Sequence, residues 1–367
     1  MAKVIIISQF PLPYSRIGSW TTMYGNYLRQ ENHQADTIIC PRPHTMFGGA
    51  NYLFANRTLL RKLQEKIIGK GYFQYLTPLK KVIVPGEKYI IQVIDNHGFV
   101  AHLAAFLKKN GLASQCYIQF FHHGFGPFYR NPDTAKFFPH IDELVLLTQQ
   151  SYRHYIDYYT VMPCKVSVLH NGIDTSKFTA PDSKTKAARK ADLQLSGRRV
   201  LMWCSQDRPK KGLNLILEVF ARIREVHTDI ALLVVGSDRK IQMDGVVSVG
   251  KIPNNELPEY YQAADVYLFP TLCKEGFGLT LIEALHCGCY CIASALGGVP
   301  EVLQNGKLGT LIENPHFVEE WVNAVMEYLE NGKNLLEVSK ELYSSEQWNK
   351  GMNKLIEDAK YSIECRP

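Results

Sequence analysis

Short apolar runs rich in β-branched and aromatic residues alternate along the chain with longer stretches in which apolar residues return every three or four positions. The first pattern predicts buried strands, and the second predicts helices with one buried face. In the first half the strand-like runs are Lys3–Ser8, Ala35–Cys40, Tyr89–Ile94, Gln115–Phe121, Glu143–Leu147 and Lys165–Leu169. Helical spacing covers Gly18–Arg29, Phe99–Lys109 and Thr148–Tyr159. Between Thr179 and Arg199 the chain turns polar and loses its apolar period, which reads as a linker-like interval. The alternation then restarts, with strands expected at Arg199–Cys204, Ile230–Gly236, Val246–Gly250, Asp265–Pro270 and Cys289–Ser294. Helices are expected at Gly212–His227, at Asn254–Ala263 and from Leu279 onward. A last polar helix, Ser345 to Ile363, carries Trp348, Met352 and Leu355 on one side.

Such alternation predicts parallel sheets with helices on both faces, an α/β fold with two doubly wound, Rossmann-like domains. The length of 367 residues suits two domains. Their expected spans are 1–170 and 171–344, with 345–367 as a helix returning toward the first domain. Asn171-Gly172-Ile173-Asp174 makes the tight turn at the junction. Ligands of doubly wound sheets bind beyond the carboxyl ends of the strands. Functional residues are therefore expected in the loops Gln9–Gly18, Asp95–Gly98, His122–Pro127 and Ser205–Gly212.

One stretch stands out chemically: Lys274-Glu275-Gly276-Phe277-Gly278-Leu279-Thr280-Leu281-Ile282-Glu283. A strand precedes it and a helix begins inside it, so unpaired amides and the positive end of the helix dipole favour an anion there. Glu275 and Glu283 offer carboxylates to sugar hydroxyls, and together these features suit a sugar attached to a phosphate. The loop Ser205–Gly212 adds Arg208, Lys210 and Lys211, and charge-assisted bonds of this kind anchor phosphates. It lacks the Gly-x4-Gly-Lys pattern of a Walker loop, and no strand is followed by Gly-x-Gly-x-x-Gly, which argues against a dinucleotide oxidoreductase. Further on, Gly297-Gly298-Val299-Pro300-Glu301 places bare backbone before a helix, where a ligand could approach the main chain.

Composition narrows the class. Hydrophobic residues at 46% and charged residues at 21% are those of a globular protein with ample core material. No apolar run is long enough to span a bilayer, and Val4–Ile7 reads as a first strand rather than a signal peptide. Nine cysteines, odd in number and scattered, fit a reducing, cytoplasmic setting without a disulfide framework. Cys287, Cys289 and Cys291 are expected as small core residues of a strand rather than metal ligands. From Arg57 to Lys88 eight cations face two acids, a local excess equal to the +6 of the whole chain. With Leu59, Leu63, Ile67 and Tyr72 interleaved, this stretch is compatible with peripheral contact at an anionic inner membrane face. It is equally compatible with a solvated surface helix. Nothing points to nucleic acid.

The motifs from Asn171–Asp174 through Arg208–Gly212 and Glu275–Glu283 to Gly297–Glu301 resemble, in that order, those of the family 4 retaining glycosyltransferases. The resemblance covers Leu169–Leu311 closely and the earlier part only in architecture. It implies the GT-B fold, in which the two domains face one another across a cleft. It also implies transfer of a sugar from a UDP- or GDP-sugar to a hydroxyl of a glycan or lipid-linked glycan, without metal or other cofactor. On that resemblance Glu275 lies beside the donor sugar and Glu283 at the ribose. Gly276, Phe277, Gly278, Leu279 and Thr280 meet sugar and phosphate through their amides. Arg208 and Lys211 neutralise the leaving diphosphate, and Gly18 lets the first domain's backbone approach it. The family's histidine beside the reacting sugar matches His123 best; His122 and His97 stay open. Where many members carry Gly-Arg ahead of the loop lysine, this chain has Cys204-Ser205, which makes the role of Arg208 less secure than that of Lys211. A nucleotide-sugar epimerase of the same architecture is the alternative, distinguished by turnover without acceptor. A non-catalytic sugar-binding protein is harder to reconcile with the cationic loop. The loops Gly236–Arg239 and Lys251–Pro253 are where choice between uridine and guanosine is expected.

Overall fold

The computed structural model describes residues 2–14, 20–56, 72–127, 137–159, 161–332 and 337–366. The chain divides into two compact units, Met1–His170 with Ser345–Pro367, and Asn171–Ser344.

The first unit is built on seven strands: β1 (Lys3–Ser8), β2 (Thr37–Cys40), β3 (Asn51–Phe54), β4 (Tyr89–Ile94), β5 (Cys116–Phe121), β6 (Glu143–Leu146) and β7 (Lys165–Val168). They pair in parallel in the order β3-β2-β1-β4-β5-β6-β7. The helices described here are α1 (Trp20–Leu28), α2 (Phe73–Val82), α3 (His97–Lys109) and α4 (Gln149–Tyr158). In β1, β4 and β5 nearly every residue is buried. Helices cover both faces of a parallel sheet, so these strands are continuously apolar rather than alternating.

The second unit carries α5 (Ser183–Asp192), β8 (Arg199–Cys204), α6 (Leu213–Val226), β9 (Ile230–Val235), β10 (Val246–Gly250), α7 (Leu257–Ala263), β11 (Val266–Phe269), α8 (Leu279–His286), β12 (Tyr290–Ser294), α9 (Val299–Val302), β13 (Gly309–Ile312) and α10 (Val318–Asn331). Its six parallel strands run β10-β9-β8-β11-β12-β13. Strand order reverses between β1 and β4 in the first sheet and between β8 and β11 in the second. Loops that leave adjacent strands in opposite directions open a crevice at such points.

The last helix, α11 (Ser345–Glu364), buries Trp348, Met352, Leu355, Ile356, Ala359 and Ile363 in one core of the first unit with Val4, Ile6, Ile90 and Tyr117. Beneath it lies a polar network in the sheet. Gln92 Nε2 donates to Gln119 Oε1 (3.0 Å), and Gln119 Nε2 donates to Glu143 Oε2 (2.8 Å) and to the Leu355 carbonyl (3.1 Å). Glu143 is fully buried, and Lys165 Nζ lies 3.3 Å from its other oxygen. A buried carboxylate is tolerated only when bonded in this way.

Two readings of the sequence change. The polar interval before Arg199 holds α5, a helix attached by charge rather than by an apolar stripe. Asp182 caps it by accepting from the Thr185 amide (2.6 Å). Lys186 and Lys190 reach Asp265 at 2.8 and 2.7 Å, and Arg189 reaches Glu259 at 3.1 Å. Apolar periodicity cannot reveal a helix held by ion pairs. Among the three closely spaced cysteines only Cys291 lies in a strand; Cys287 caps α8 and Cys289 precedes β12, all three buried.

Asp265 also accepts the Val200 amide (2.7 Å). Burial opposes its ionisation, but the two lysines and this amide outweigh it and hold the carboxyl below its ordinary value. Asp265→Ala is expected to destabilise the second unit by roughly 2–3 kcal/mol in denaturant unfolding. Because a depressed carboxyl stabilises only while ionised, the deficit should shrink as pH falls below the ordinary value of 3.8.

Candidate active site

At the carboxyl edge of the second sheet, the loops after β8 and β11 are joined main chain to main chain. The Leu272 amide donates to the Lys210 carbonyl (2.8 Å). Gly212 has φ +72°, and a Cβ there would fall 2.1 Å from the Pro270 carbonyl oxygen, so only glycine permits this approach. Trp203, buried in β8, donates its indole N–H to the Lys211 carbonyl (2.9 Å). These contacts hold Lys211 against the loop carrying Glu275. The Lys211 ammonium bonds Glu275 Oε1, and the Thr271 hydroxyl donates to the same oxygen (2.9 Å).

A third segment fixes the Glu275 backbone. The Gly298 amide donates to the Glu275 carbonyl (2.8 Å), and Glu275 forms an isolated parallel bridge with Gly297. A Cβ on Gly297, at φ +71°, would lie 2.4 Å from that carbonyl oxygen. The bare backbone read in the sequence as room for a ligand is thus occupied by the Glu275 main chain. Gly278, at φ +94°, then turns the chain into α8. Phe277 is buried against Tyr343 (ring centroids 5.2 Å apart), so its side chain is a wedge and only its backbone is left for the site. The Leu279 and Thr280 amides open the helix, where its first turn has no intrahelical acceptor.

Glu283 lies in a different environment. Only 6% exposed, it accepts one bond from the Tyr261 hydroxyl (3.1 Å). Burial pushes its carboxyl up to about 8, which the Tyr261 bond only partly offsets. Near neutrality Glu283 is therefore largely protonated, able both to donate and to accept.

In the first unit, Asp95 follows β4 and His123 follows β5. The His123 amide donates to Asp95 Oδ1 (2.8 Å), and ring Nδ1 lies 3.1 Å from Oδ2. Burial opposes ionisation of Asp95, but the charge and hydrogen bonds of His123 prevail and hold it below the ordinary carboxylate range. An ionised carboxylate only accepts, so Nδ1 carries the proton and Nε2 is the ring's second nitrogen. The imidazole stacks on Trp20 (4.5 Å, 15° between planes). Burial pushes neighbouring His122 down to about 4, keeping it neutral, and His97 is exposed at the start of α3.

Residues 185–345 match the family described as Glycosyl transferases group 1. All but the last of these residues lie in the second unit. Among similar curated proteins is a GDP-mannose-dependent alpha-(1-6)-phosphatidylinositol monomannoside mannosyltransferase of Mycolicibacterium smegmatis, 30% identical over 39% of this chain and 41% of its own length. Another is a D-inositol 3-phosphate glycosyltransferase of a Mycobacterium strain, 27% identical over 52% of this chain and 45% of its own. The matched segments thus span less than half of these relatives. Among solved structures, sucrose-phosphate synthase of Thermosynechococcus elongatus superposes with a TM-score of 0.73 at 17% identity, covering 99% of this chain and 100% of that one. A glycosyltransferase of Rickettsia africae gives 0.72 at 14%, covering 98% of each. Two doubly wound units in this order are the GT-B fold.

In the second unit the structure brings Lys211, Glu275 and the Gly276–Thr280 turn together. Arg208, in the same loop as Lys211, is exposed and makes no ion pair among the described residues. Gly18 lies outside the described residues, as do residues 57–71 of the basic stretch. Lys80 and Lys81 end α2. Among the described residues no helix is long and apolar enough to cross a membrane.

Sequence reasoning gives no sign of two of these contacts. In the second unit Thr271 stands in a plain Pro-Thr-Leu run, and in the first unit Trp20 reads as an ordinary helix residue. Asp95 falls in the loop Asp95–Gly98, where functional residues are expected, but the sequence assigns it no role. Likewise, Asp207 is bonded by Arg239 (Nη2 to Oδ1, 2.8 Å; Nε to Oδ2, 3.0 Å) and by the Ser237 hydroxyl (2.8 Å). This links the loop after β8 to Gly236–Arg239, and Lys251 similarly bonds Asp238.

A group with a raised folded-state pKa stabilises fully below its unfolded value and progressively less as pH rises through the folded one. For Glu283 that window runs from the ordinary 4.5 to about 8. Glu283→Gln should therefore gain stability relative to wild type across this window, as read by thermal unfolding at several pH values. A constant difference would exclude a buried, titrating carboxyl.

Proposed function

We propose that the protein is a retaining glycosyltransferase that moves a sugar from a nucleotide-diphosphate sugar to a hydroxyl of a glycan or lipid-linked glycan. The observation that carries this reading is the convergence of Lys211, Glu275 and the opening of α8 at the point where the second sheet reverses strand order. A donor bound there has its diphosphate at the Lys211 ammonium and the Leu279 and Thr280 amides. Its sugar lies at Glu275, and its ribose lies at Glu283. The bond from the anomeric carbon to the diphosphate oxygen breaks, a bond to the acceptor oxygen forms, and the acceptor hydroxyl's proton passes to the departing diphosphate.

Negative charge grows on the leaving diphosphate as that bond lengthens. Fixed donors aimed at such charge lower the barrier more than they stabilise the bound donor. The cations and amides supply this without a metal ion. Glu283, largely protonated, can accept from one ribose hydroxyl and donate to the other. In the first unit His123 is fixed by Asp95 and Trp20, with the proton on Nδ1 and Nε2 as the second ring nitrogen. The curated relative named for GDP-mannose makes GDP- and UDP-hexoses the first donors to test. The basic stretch Arg57–Lys88 is proposed as the contact with an anionic membrane surface that carries a lipid-linked acceptor.

Lys211→Ala is expected to weaken binding of the nucleoside diphosphate about 10- to 100-fold by calorimetry, the equivalent of one charge-assisted bond. Glu275→Gln should abolish transfer yet leave that affinity equal or tighter, because it removes a negative charge from beside the diphosphate. Weaker binding in Glu275→Gln, or near-normal turnover, would contradict the assignment. Replacing Lys62, Lys66, Lys80 and Lys81 together by Gln should reduce co-sedimentation with anionic vesicles; unchanged binding would remove the membrane role.

A further inference from the structure

We propose that Thr271 is the positioning residue that keeps Glu275 aimed at the donor sugar, with Oε2 as the oxygen that meets a sugar hydroxyl. The inference rests on the function proposed above. Glu275 is served on one side only. Lys211 Nζ, the Thr271 hydroxyl (2.9 Å) and the Cys273 thiol (3.8 Å) all converge on Oε1. No described group bonds Oε2. A carboxylate gripped by one oxygen presents the other outward.

The two principal partners differ in kind. Lys211 is a point charge on a flexible four-carbon stem, and a diphosphate at the same loop competes for it. Thr271 is 1% exposed, β-branched and therefore stiff at χ1, and it follows Pro270, which is packed against Gly212. Its single hydroxyl proton has three acceptors within reach, Glu275 Oε1 at 2.9 Å, the Cys273 carbonyl at 3.3 Å and Cys273 Sγ at 3.5 Å. The shortest bond, to the charged acceptor, is the strongest one. When Lys211 turns to phosphate, Thr271 is the contact that stays and holds the carboxylate in place.

Thr271→Val keeps the shape and removes the proton. It should lower kcat for sugar transfer roughly 10- to 100-fold, the scale of a misplaced catalytic group. Affinity for the nucleoside diphosphate alone should stay within about 2-fold of wild type, because that ligand does not reach Glu275. Thr271→Ser restores the hydroxyl and should recover kcat to within about 3-fold. Unchanged kcat in Thr271→Val overturns the proposal. So does a loss of diphosphate affinity matching that of Lys211→Ala, which would make Thr271 a general support of the loop. Crystal structures of both variants give a readout independent of activity: Glu275 should leave its position in the Val variant and keep it in the Ser variant. A Glu275 carboxylate unmoved in the Val variant also refutes the inference. If wild type turns over no nucleotide sugar, the function reading fails, while these structures still decide the role of Thr271.

Discussion

Three stretches of main chain meet at the carboxyl edge of the second sheet more closely than side chains allow. Gly212 abuts Pro270, Gly297 abuts Glu275, and the Leu272 amide is bonded to the Lys210 carbonyl. Parallel pairing sends the loops after β8 and β11 from adjacent strand ends, and the reversal of strand order opens a crevice between them. The glycines close the remaining distance. Without that approach Lys211 and Glu275, 64 residues apart in sequence, would not share an oxygen atom's surroundings. The two backbone clamps, one on each loop, therefore set the geometry of the charges.

The electrostatics follow from this arrangement. Glu275 is partly exposed and paired with the Lys211 ammonium and the Thr271 hydroxyl. Glu283, one helical turn into α8, is buried with a single phenol for company and is pushed up to about 8. Two carboxylates eight positions apart thus stand in different surroundings, one beside a cation and one buried against a phenol. The same logic governs the first unit. Glu143 lies fully buried beneath α11 yet has Gln119, Ser167 and Lys165 as partners. Asp95 has His123, and the stacked indole of Trp20 fixes the imidazole plane that the aspartate alone would leave free to tilt.

Much of the architecture was legible because its signals are local. Buried parallel strands write themselves as apolar runs, and β1, β4 and β8 fall where their runs lie. The short strand β3 and the helix α5 were missed for opposite reasons. Asn51–Phe54 is too brief and polar at its start to stand out, and α5 has no apolar face because Asp265 and Glu259 hold it. The motif around Glu275 was legible as well, since glycines before a helix announce an anion site. The purpose of Gly297 was not, because nothing in Gly-Gly-Val-Pro says whether ligand or backbone will occupy the space.

Most of the strands and helices, the division into two α/β domains and the identity of the charged loops can be read from the sequence alone. Hydrophobic period, glycine and charge act over a few neighbouring residues, and those distances are visible in one dimension. The packed chain alone shows which oxygen of Glu275 is engaged, that Asp95 holds His123 in the first unit, and that burial pushes the Glu283 carboxyl up. Each of these depends on groups brought together from separate strands, and on burial, which is a property of the packed chain.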